Sequence, residues 1–382
     1  MLPLTGIRVL DLSRLLPGPF ATLFLAEVGA EVIKLEHPGG EDMRRYLPEW
    51  DDVSGAPFAL LNKGKKSITA DLADPADTAA VKKLAASADI IVEQFRPGTL
   101  RKYGLDYASV AAENPRTIYC SITGYGQAGP SNDRPGHDLN YLADNGILDL
   151  APGAPGARTV PPIALADLAG GSYPAVVNML LALRYRDQTG KGCHIDISMT
   201  DSLLAFAYLP WAQGYATNEW PQSGRGRFTG GSPRYSLYDT KDGRVLAVAA
   251  IEDKFWNAFC AAIGLDEAWA NDAVDPAATM TAVERLIAAR DAAHWEAVFA
   301  QTECCCSIVR SMEEALRRDE FKARLPLHRT LRGAQGQEMP VLPLPLAPEF
   351  VDQSLPVEPA AALGSANAEF GLPVRPRAGE EA

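Results

Sequence analysis

The chain has 382 residues, which is too long for one ordinary hydrophobic core, so a large domain and a smaller one are expected. Its formal net charge of −12 argues against a nucleic-acid partner, because phosphate backbones bind basic surfaces. No apolar run reaches the length of a membrane span, and the first residues lack the charged start and apolar centre of a signal peptide. We therefore expect a soluble protein with no membrane partner.

The six cysteines indicate a reducing, cytoplasmic compartment. Three of them are contiguous, Cys304, Cys305 and Cys306, and the set matches neither a disulfide framework nor the spacing of zinc ligands. Because contiguous thiols cannot all face one tetrahedral site, we interpret the triplet as packing and expect no metal.

The start of the chain predicts a βαβ unit. Residues 6–12 are typical of a buried strand, and a helix is predicted from Pro17 to Val28, with proline in the first turn, where its missing N–H costs nothing. Gly29 ends that helix, and residues 30–36 form a second predicted strand. Such a unit implies parallel strands with helices on the faces of the sheet.

The same alternation continues and predicts a large, open, Rossmann-like α/β domain over residues 1–218. The turn after the first strand lacks Gly-x-Gly-x-x-Gly and the chain has no P-loop, which argues against NAD- and NTP-dependent chemistry. Further strands are predicted at 89–93, 117–122 and 194–198, and further helices at 76–87, 106–113, after Gly170-Gly171 and at 200–217.

A second, smaller α/β domain is predicted over residues 225–325. Residues 326–382 are expected to return to the large domain, and their Pro- and Ala-rich part from 339 onward to wrap over a surface rather than form a third core. The smaller domain has predicted strands at 235–239 and 244–251 and predicted helices at 252–263, 280–290 and 293–301.

Two residues could exchange protons with a substrate. His137 lies in the segment Gly-His-Asp-Leu-Asn-Tyr, and Asp167 precedes Leu-Ala-Gly-Gly. An imidazole and a carboxylate on opposite faces of one carbon can remove a proton and return one from the other side, which inverts a stereocentre. The alternatives are a structural histidine that forms hydrogen bonds and an aspartate that caps a helix.

The neighbours of these two residues suggest how a site could form. Asp138 could be the N-cap of a helix, so that His137 would lie at the positive helix end, where free N–H groups could stabilise an enolate oxygen. Gly170 and Gly171 would let the backbone approach a ligand and would leave room above the Asp167 carboxylate.

Glu252 lies where a predicted strand ends and a predicted helix begins. An acid in the first turn of a helix commonly does no more than match the helix dipole. The alternative is that Glu252 orients the His137 ring and holds its imidazolium form, as a carboxylate does behind a catalytic histidine.

Basic residues cluster in this acidic chain. Each one alone is typical of solvated surface charge, but together they could balance a phosphate-bearing ligand. They are Arg44, Arg45, Lys63, Lys65, Lys66, Arg96, Arg101, Lys102 and Arg134.

Taken together, the motifs resemble the class III coenzyme A transferase superfamily (CaiB/BaiF type), and most of all its α-methylacyl-CoA racemase branch. The similarity spans nearly the full length. It depends on Gly-Ile-Arg-Val-Leu-Asp-Leu-Ser-Arg-Leu-Leu-Pro-Gly-Pro from Gly6, Gly-Ala-Glu-Val-Ile-Lys-Leu-Glu from Gly29, Phe-Arg-Pro-Gly from Phe95, Thr-Gly-Tyr-Gly-Gln-Ala-Gly-Pro from Thr123, Gly-His-Asp-Leu-Asn-Tyr from Gly136 and Thr-Gly-Lys-Gly from Thr189.

This resemblance implies roles for the candidate catalytic residues. Racemases of the branch pair a histidine matching His137 with an aspartate matching Asp167, and they carry a glutamate matching Glu252. Transferases keep the aspartate as a nucleophile and usually lack this histidine and this glutamate.

The resemblance also implies interlocked homodimers, with each active site between the large domain of one subunit and the small domain of the other. No cofactor is required, and coenzyme A enters as part of the substrate. Two positions depart from the family, since His37 and Lys102 stand where an arginine is typical. The implied coenzyme A residues are Arg14, Leu15, His37, Gln94, Phe95, Arg96, Lys102 and Tyr141.

Three functions remain as hypotheses. The favoured one is a racemase or epimerase of 2-methyl-branched acyl-CoA thioesters that removes and returns the α-proton through an enolate. The second is a transferase that moves coenzyme A from an acyl-CoA to a carboxylic acid through Asp167. The third is a non-catalytic protein that binds acyl-CoA.

Overall fold

The computed structural model describes residues 1–52, 54–151 and 159–374, and the chain divides into two compact units. Unit 1 is built from Met1–Asn145, Pro162–Phe206 and the chain from Leu325 onward, and unit 2 from Gly146–Pro161 and Ala207–Arg324. The end of the predicted C-terminal segment, residues 375–382, lies outside the described residues.

A parallel six-stranded sheet, in the order β5-β2-β1-β6-β7-β8, forms the centre of unit 1 and confirms the predicted α/β class. Val9 on the central strand pairs with Val32 on one side and with Ile90 on the other, and such strands are apolar because helices cover both faces of the sheet. The strands are β1 (Arg8–Leu12), β2 (Glu31–Glu36), β3 (Glu49–Asp51), β4 (Ser54–Gly55), β5 (Lys66–Thr69), β6 (Ile90–Glu93), β7 (Ile118–Thr123) and β8 (His194–Ser198), of which β3 and β4 form a separate pair.

The helices of unit 1 alternate with these strands. They are α1 (Pro17–Glu27), α2 (Ala56–Asn62), α3 (Pro75–Ser87), α4 (Tyr107–Glu113), α5 (Asp138–Asp144), α6 (Tyr173–Thr189) and α7 (Met199–Ser202). A π-helical segment, Ala166–Ser172, leads into α6. Short 3-10 helices are Asp42–Arg45, Thr99–Tyr103, Leu203–Ala205, Pro348–Phe350 and Asn367–Phe370.

The βαβ unit at the start of the chain is as predicted. Pro17 is the first residue of α1, and Gly29 follows the helix with a φ of +100°, a conformation that residues with a side chain rarely adopt. These two residues fix the ends of α1, and the helix therefore returns the chain to the sheet for β2.

The predicted helix 200–217 is wrong, because the chain breaks there into α7, a 3-10 turn and, in unit 2, α8 (Tyr208–Thr217). Pro210 explains the break: it has no N–H to donate to the preceding turn, so it is tolerated only in the first turn of a new helix. The prediction also missed α2 and the edge strand β5.

Unit 2 contains a three-stranded antiparallel sheet in the order β11-β10-β9. Trp256, Phe259 and Trp295 are buried in its core together with Cys304, whereas Cys305 is exposed, so the packing interpretation of the triplet is wrong for Cys305. The strands are β9 (Tyr235–Asp239), β10 (Val245–Ala249) and β11 (Cys306–Ile308), and the helices besides α8 are α9 (Asp253–Ile263), α10 (Glu267–Ala270), α11 (Pro276–Ile287), α12 (Ala292–Phe299), α13 (Met312–Leu316), α14 (Asp319–Arg324) and a 3-10 turn, Leu148–Leu150.

The C-terminal part of unit 1 covers the edge of the parallel sheet. After a hairpin of β12 (Thr330–Arg332) and β13 (Glu338–Pro340), the side-chain oxygen of Asn367 accepts a hydrogen bond of 2.7 Å from the Thr69 backbone N–H. Leu372 is buried in the core under this edge. Covering the edge satisfies backbone N–H and C=O groups that would otherwise be open to pairing with another chain.

Across residues 1–52, 54–151 and 159–374, every helix is too short or too polar to cross a bilayer.

Candidate active site

The candidate site lies at the carboxyl edge of the unit 1 sheet. The strand order reverses at β1, because β2 lies on one side of it and β6, the later strand, on the other. In open α/β sheets, ligands bind outside the carboxyl ends of the strands at such a switch point. Residues from the loops after β1, β6, β7 and β8 line a cavity of about 560 Å³ there.

Most of the predicted site residues line this one cavity. They are Arg14, Leu15, Gln94, Phe95, Arg96, His137, Tyr141 and Asp167. The remaining three, His37, Lys102 and Glu252, are not among the residues that line it.

The turn after β1 carries Arg14 and Leu15 into the cavity, and the buried carboxylate of Asp11 stabilises this turn. The Asp11 carboxylate accepts a hydrogen bond of 2.9 Å from the Ser13 N–H and lies 3.2 Å from the Lys65 ammonium group. Leu15 has a φ of +58°, in the left-handed region that costs energy for a residue with a side chain. A turn in this conformation needs such support.

The Asp11 carboxylate is ionised in spite of its burial. Burial alone would raise its pKa, but the charges of Lys65 and Lys34 and hydrogen bonds from Ser13 and Thr22 lower the pKa to about 2. The pair therefore stays charged at neutral pH. Removing either partner would leave an uncompensated buried charge, which is strongly destabilising.

The loop after β6 is fixed by its own acid. Glu93 is buried, and its carboxylate accepts a hydrogen bond of 2.8 Å from the Phe95 N–H. Burial raises the pKa of Glu93 to about 7. This bond directs Phe95 and Arg96 toward the cavity.

His137 is exposed and stands at the N-cap of α5. Its backbone is extended, with φ −128° and ψ 174°, and its N–H donates a hydrogen bond of 3.0 Å to the Asn140 side-chain oxygen. The prediction that Asp138 is the N-cap is wrong, because Asp138 is already the first residue of α5. The reason is that Asn140 satisfies the backbone at His137 and starts the helix one residue earlier.

Asp167 is half-buried in the first turn of the π-helical segment rather than at its N-cap, which is Leu165. The capping alternative is therefore wrong. Its backbone N–H donates a hydrogen bond of 3.0 Å to the Asp138 carboxylate. Burial, and after it the negative charge of Asp138, raises the pKa of Asp167 to about 6. Single π-helical turns are frequent at functional sites.

The two glycines after Asp167 face packed protein and not a ligand, which corrects the prediction. A Cβ on Gly170 would lie 2.3 Å from the Met199 carbonyl oxygen, and a Cβ on Gly171 would lie 3.1 Å from Pro17 Cβ. Their missing side chains let the π-helical segment approach the start of α1 and the residue after β8. Both Pro17 and Met199 line the cavity, so this packing sets the depth at which Asp167 lies.

Tyr141 forms a buried wall beside the two candidate groups. Its hydroxyl donates a hydrogen bond of 2.5 Å to the Gly136 carbonyl, and a Cβ on Gly124 would lie 2.5 Å from the ring. Burial, together with the charge of Asp167, raises the pKa of Tyr141 to about 12. The phenol therefore stays protonated at neutral pH and acts as a donor.

His37 lines a second cavity, of about 310 Å³, which shares Arg14, Phe95 and Thr99 with the first. Lys102 is close to it: the ammonium group lies 4.6 Å from the ring centre of Tyr103, which lines the second cavity. The two cavities provide space for an elongated ligand.

Glu252 belongs to unit 2, where it is the exposed N-cap of α9. Its carbonyl oxygen accepts hydrogen bonds from the N–H groups of Phe255 and Trp256. The support of His137 by Glu252 stays a prediction.

Much of the predicted basic cluster does not face a ligand. Lys65 pairs with Asp11, Arg44 with Glu36, Lys63 with Glu27 and Lys66 with Glu31. The idea that the whole cluster balances phosphate is therefore wrong for these four cations, which complete ion pairs at and near the sheet. Arg96 and Arg134 do line the first cavity, and Arg134 is also paired with Asp144.

The sequence analysis did not predict that the Asp138 side chain binds the backbone N–H of Asp167. Only the fold brings its carboxylate to the backbone of Asp167, 29 residues later in the chain. The one feature of the sequence that could have indicated a role for Asp138 is its position directly after His137.

Residues 4–361 match the family CoA-transferase family III. The chain belongs to this family. The alpha-methylacyl-CoA racemase of Homo sapiens is 35% identical over 326 residues, which cover 84% of this chain and 81% of that protein. The succinyl-CoA:glutarate CoA-transferase of Mus musculus is 39% identical over 270 residues, which cover 70% of this chain and 61% of that protein.

A solved structure extends the similarity to the fold. The crystal structure of a CAIB/BAIF family protein from Brucella suis matches 97% of this chain and 98% of its own, with a TM-score of 0.81 and 29% sequence identity. CoA-transferase family III includes both racemases and CoA-transferases, and relatives of the two kinds have similar identity to this chain. Family members act on coenzyme A thioesters, but membership does not separate the two reactions.

Proposed function

We propose that this member of CoA-transferase family III is a racemase or epimerase of 2-methyl-branched acyl-CoA thioesters. The observation that carries the proposal is that His137 and Asp167 line the same cavity. A reaction that removes a proton from one face of a carbon and adds one to the other needs two such groups. A transferase needs only the carboxylate.

The proposed mechanism moves one proton at each group. The thioester makes the hydrogen on the second acyl carbon acidic, and the Asp167 carboxylate removes it while the thioester carbonyl becomes an enolate. The His137 imidazolium then donates its proton to the opposite face. In the reverse direction neutral His137 removes the proton and protonated Asp167 donates one. Both groups return to their starting states by exchange with water.

The environment of Asp167 suits this role. A general base works best when its pKa is close to the working pH, and burial raises the pKa of Asp167 to about 6. The protonated form, which the reverse direction needs, is therefore populated in mildly acidic to neutral solution. An ordinary solvent-exposed aspartate would be a much weaker base and a rarer acid.

The two neighbouring cavities, which share Arg14, Phe95 and Thr99 as lining residues, support an acyl-CoA as the substrate. The first holds the candidate catalytic groups and the cations Arg14 and Arg96, and the second holds His37. We assign the thioester to the His137 end and the adenosine and phosphates to the end near Arg14, His37 and Lys102. This arrangement extends one elongated substrate across the switch point of the sheet.

Isotope exchange tests the proposal. A pure (2R)- or (2S)-2-methylacyl-CoA incubated with the protein in deuterated water should give both epimers, with deuterium on the α-carbon. Asp167→Asn and His137→Asn should each lower the rate by about 100-fold or more, while the exposed Asp133→Asn should match the unaltered protein. Absence of both exchange and inversion over a panel of acyl chains would refute the racemase, and coenzyme A binding without turnover would favour the non-catalytic hypothesis.

A CoA-transferase is the second candidate, and the similarity to the mouse transferase is the observation that favours it. The Asp167 carboxylate would attack the thioester carbonyl and expel the coenzyme A thiolate, which leaves a mixed anhydride. The thiolate would then attack the Asp167 acyl carbon, release the free acid and form an aspartyl-CoA thioester, from which an acceptor carboxylate takes coenzyme A by the same two steps in reverse.

Intact-protein mass spectrometry distinguishes the two reactions. With a donor thioester and no acceptor, a transferase gains the mass of bound coenzyme A, and Asp167→Asn abolishes that gain. His137→Ala should be mild for transfer and severe for racemisation. A protein that gains no mass and moves no coenzyme A to any acceptor is not a transferase.

We further propose that the partner of this chain is a second copy of itself. In unit 1, α6 exposes Val177 and Leu181, and in unit 2, α8 exposes Tyr208 and Tyr215, each by more than half of its surface. Contiguous exposed apolar side chains mark interaction surfaces. Analytical ultracentrifugation should find a dimer, Leu181→Glu should weaken it, and the exposed Lys83→Glu on α3, which reverses a charge away from this face of α6, should not. A monomer at micromolar concentration would contradict this.

A further inference from the structure

We propose that Asp138 is a positioning residue, whose carboxylate fixes the backbone at Asp167 and thereby sets the spacing between Asp167 and His137. The inference rests on the proposed function, because it gives the residue a task within that same site. An aspartate in the first turn of a helix is ordinarily explained by the helix dipole alone, and that role would not need a contact with Asp167.

A hydrogen bond between distant segments links Asp138 to Asp167. The Asp138 carboxylate accepts a hydrogen bond of 3.0 Å from the Asp167 N–H. This N–H lies in the first turn of the π-helical segment, where backbone donors lack a partner within their own helix. Asp138 therefore caps a helix to which it does not belong, and in doing so it ties the start of that helix to the start of α5.

The same turn of α5 also holds His137, the other candidate group. His137 directly precedes Asp138, and its backbone N–H is bound by the Asn140 side chain at 3.0 Å. One turn of α5 thus holds His137 through Asn140 and Asp167 through Asp138. Proton transfer on opposite faces of one carbon requires a fixed spacing of this kind, since a displacement of about 1 Å can cost about 100-fold in rate.

The charge of Asp138 also acts on Asp167. Because the Asp138 carboxylate accepts a hydrogen bond from the Asp167 N–H, its negative charge lies close to the Asp167 side chain. This charge disfavours ionisation of Asp167 and so raises its pKa. Asp138 therefore has two separable effects on Asp167: the hydrogen bond fixes its place and the charge increases its affinity for protons.

Two variants separate these effects. Asp138→Asn keeps an acceptor oxygen and removes the charge, whereas Asp138→Ala removes both. We expect Asp138→Asn to keep turnover within a few-fold of the unaltered protein and to shift the acidic limb of its pH profile to lower pH. We expect Asp138→Ala to lower kcat by about 10- to 100-fold with little change in KM, and Asp133→Asn to change neither. A merely structural residue would not shift the pH limb in the asparagine variant.

A titration that needs no turnover keeps this inference distinct from the proposed function. In protein labelled with carbon-13 at aspartate carboxyls, the Asp167 signal is assigned by its loss in Asp167→Asn. Its midpoint should fall in Asp138→Asn, and this variant is expected to fold because it keeps the hydrogen bond. A midpoint that does not move overturns the electrostatic part of the inference. Hydrogen exchange at the Asp167 N–H tests the positioning itself: equal protection in Asp138→Ala and in the unaltered protein overturns it, whether or not the unaltered protein catalyses any reaction. If protection falls in Asp138→Ala and is kept in Asp138→Asn, but the protein shows neither racemisation nor transfer, the proposed function fails and the assignment of Asp138 stands.

Discussion

The side-chain oxygen of Gln94 accepts a hydrogen bond of 2.9 Å from the Gly18 N–H and so joins the loop after β6 to the first turn of α1. The same oxygen lies 3.3 Å from the Arg14 N–H. The binding of coenzyme A by Gln94, which the family resemblance implies, stays a prediction. Its contacts give it a further task, which is to hold the turn that carries Arg14 and Leu15 in place beside the cavity.

This relationship predicts the effect of Gln94→Ala. The variant loses two hydrogen bonds of about 1 kcal/mol each, so the turn loses order and coenzyme A should bind about 10-fold more weakly. Isothermal titration calorimetry with free coenzyme A measures the change. The exposed Gln301→Ala in unit 2 is the control and should bind as the unaltered protein does. Equal affinity in the two variants would show that the turn is rigid without Gln94.

What the sequence could predict of the fold followed from local signals. Pro17 and Gly29 mark the ends of α1, and the apolar strands on either side require parallel pairing, so the βαβ unit and the class were accessible. The edge strand β5 was not, because it begins at Lys66 just after another lysine and has no alternating pattern. The fold neutralises Lys65 with Asp11, 54 residues away, and no local pattern encodes such a pair.

The candidate site shows the same division. The motif around His137 and the aspartate before two glycines were recognisable, and the structure brings both to one cavity. The link through Asp138 and the packing of Gly170 against Met199 depend on contacts between distant segments. Sequence spacing gives the residue types of a site, but the distances between them come from the packing of whole elements.

The pKa of Asp167 predicts a stability that depends on pH. Burial raises this pKa to about 6, above the ordinary value in the unfolded chain, so between the two values the folded state binds more protons. The free energy of unfolding therefore falls as pH rises through this window and stays lower above it. Asparagine has no charge to bury, so Asp167→Asn should be more stable than the unaltered protein by on the order of 2 kcal/mol above about pH 7.

Urea unfolding at two pH values checks this prediction. The difference between Asp167→Asn and the unaltered protein should nearly vanish below about pH 3, where the aspartate is neutral in both states. Asp133→Asn is exposed and should show no difference at either pH. A stabilisation that is the same at both pH values would mean that it does not come from the carboxylate charge. Gain of stability with loss of activity is typical of a buried catalytic charge.

The packing of the two glycines predicts a graded series of variants. In Gly170→Ala the new Cβ would lie 2.3 Å from a backbone oxygen of Met199, so the π-helical segment must shift. We expect the free energy of unfolding to fall by more than about 3 kcal/mol, or the protein not to fold. In Gly171→Ala the nearest atoms are side-chain atoms at 3.1 Å, which can move, so the loss should be smaller. Gly39→Ala, whose nearest atom is 3.6 Å away, is the control. Thermal unfolding ranks the three, and a Gly170→Ala as stable as Gly39→Ala would show that the segment tolerates a shift.

Subunit mixing tests whether Glu252 supports His137 across a dimer. If each site combines His137 of one subunit with Glu252 of the other, His137→Ala and Glu252→Ala are each inactive as homodimers, but a mixed dimer contains one intact site and one site with both changes. Co-expression with random pairing makes half of the dimers mixed, so exchange activity should return to about a quarter of the unaltered level. If both residues of a site come from one subunit, no intact site forms and activity does not return. A homodimer of Glu252→Ala with full activity would instead remove Glu252 from the mechanism, and Asp253→Ala on the neighbouring residue is the matched control for damage to the start of α9.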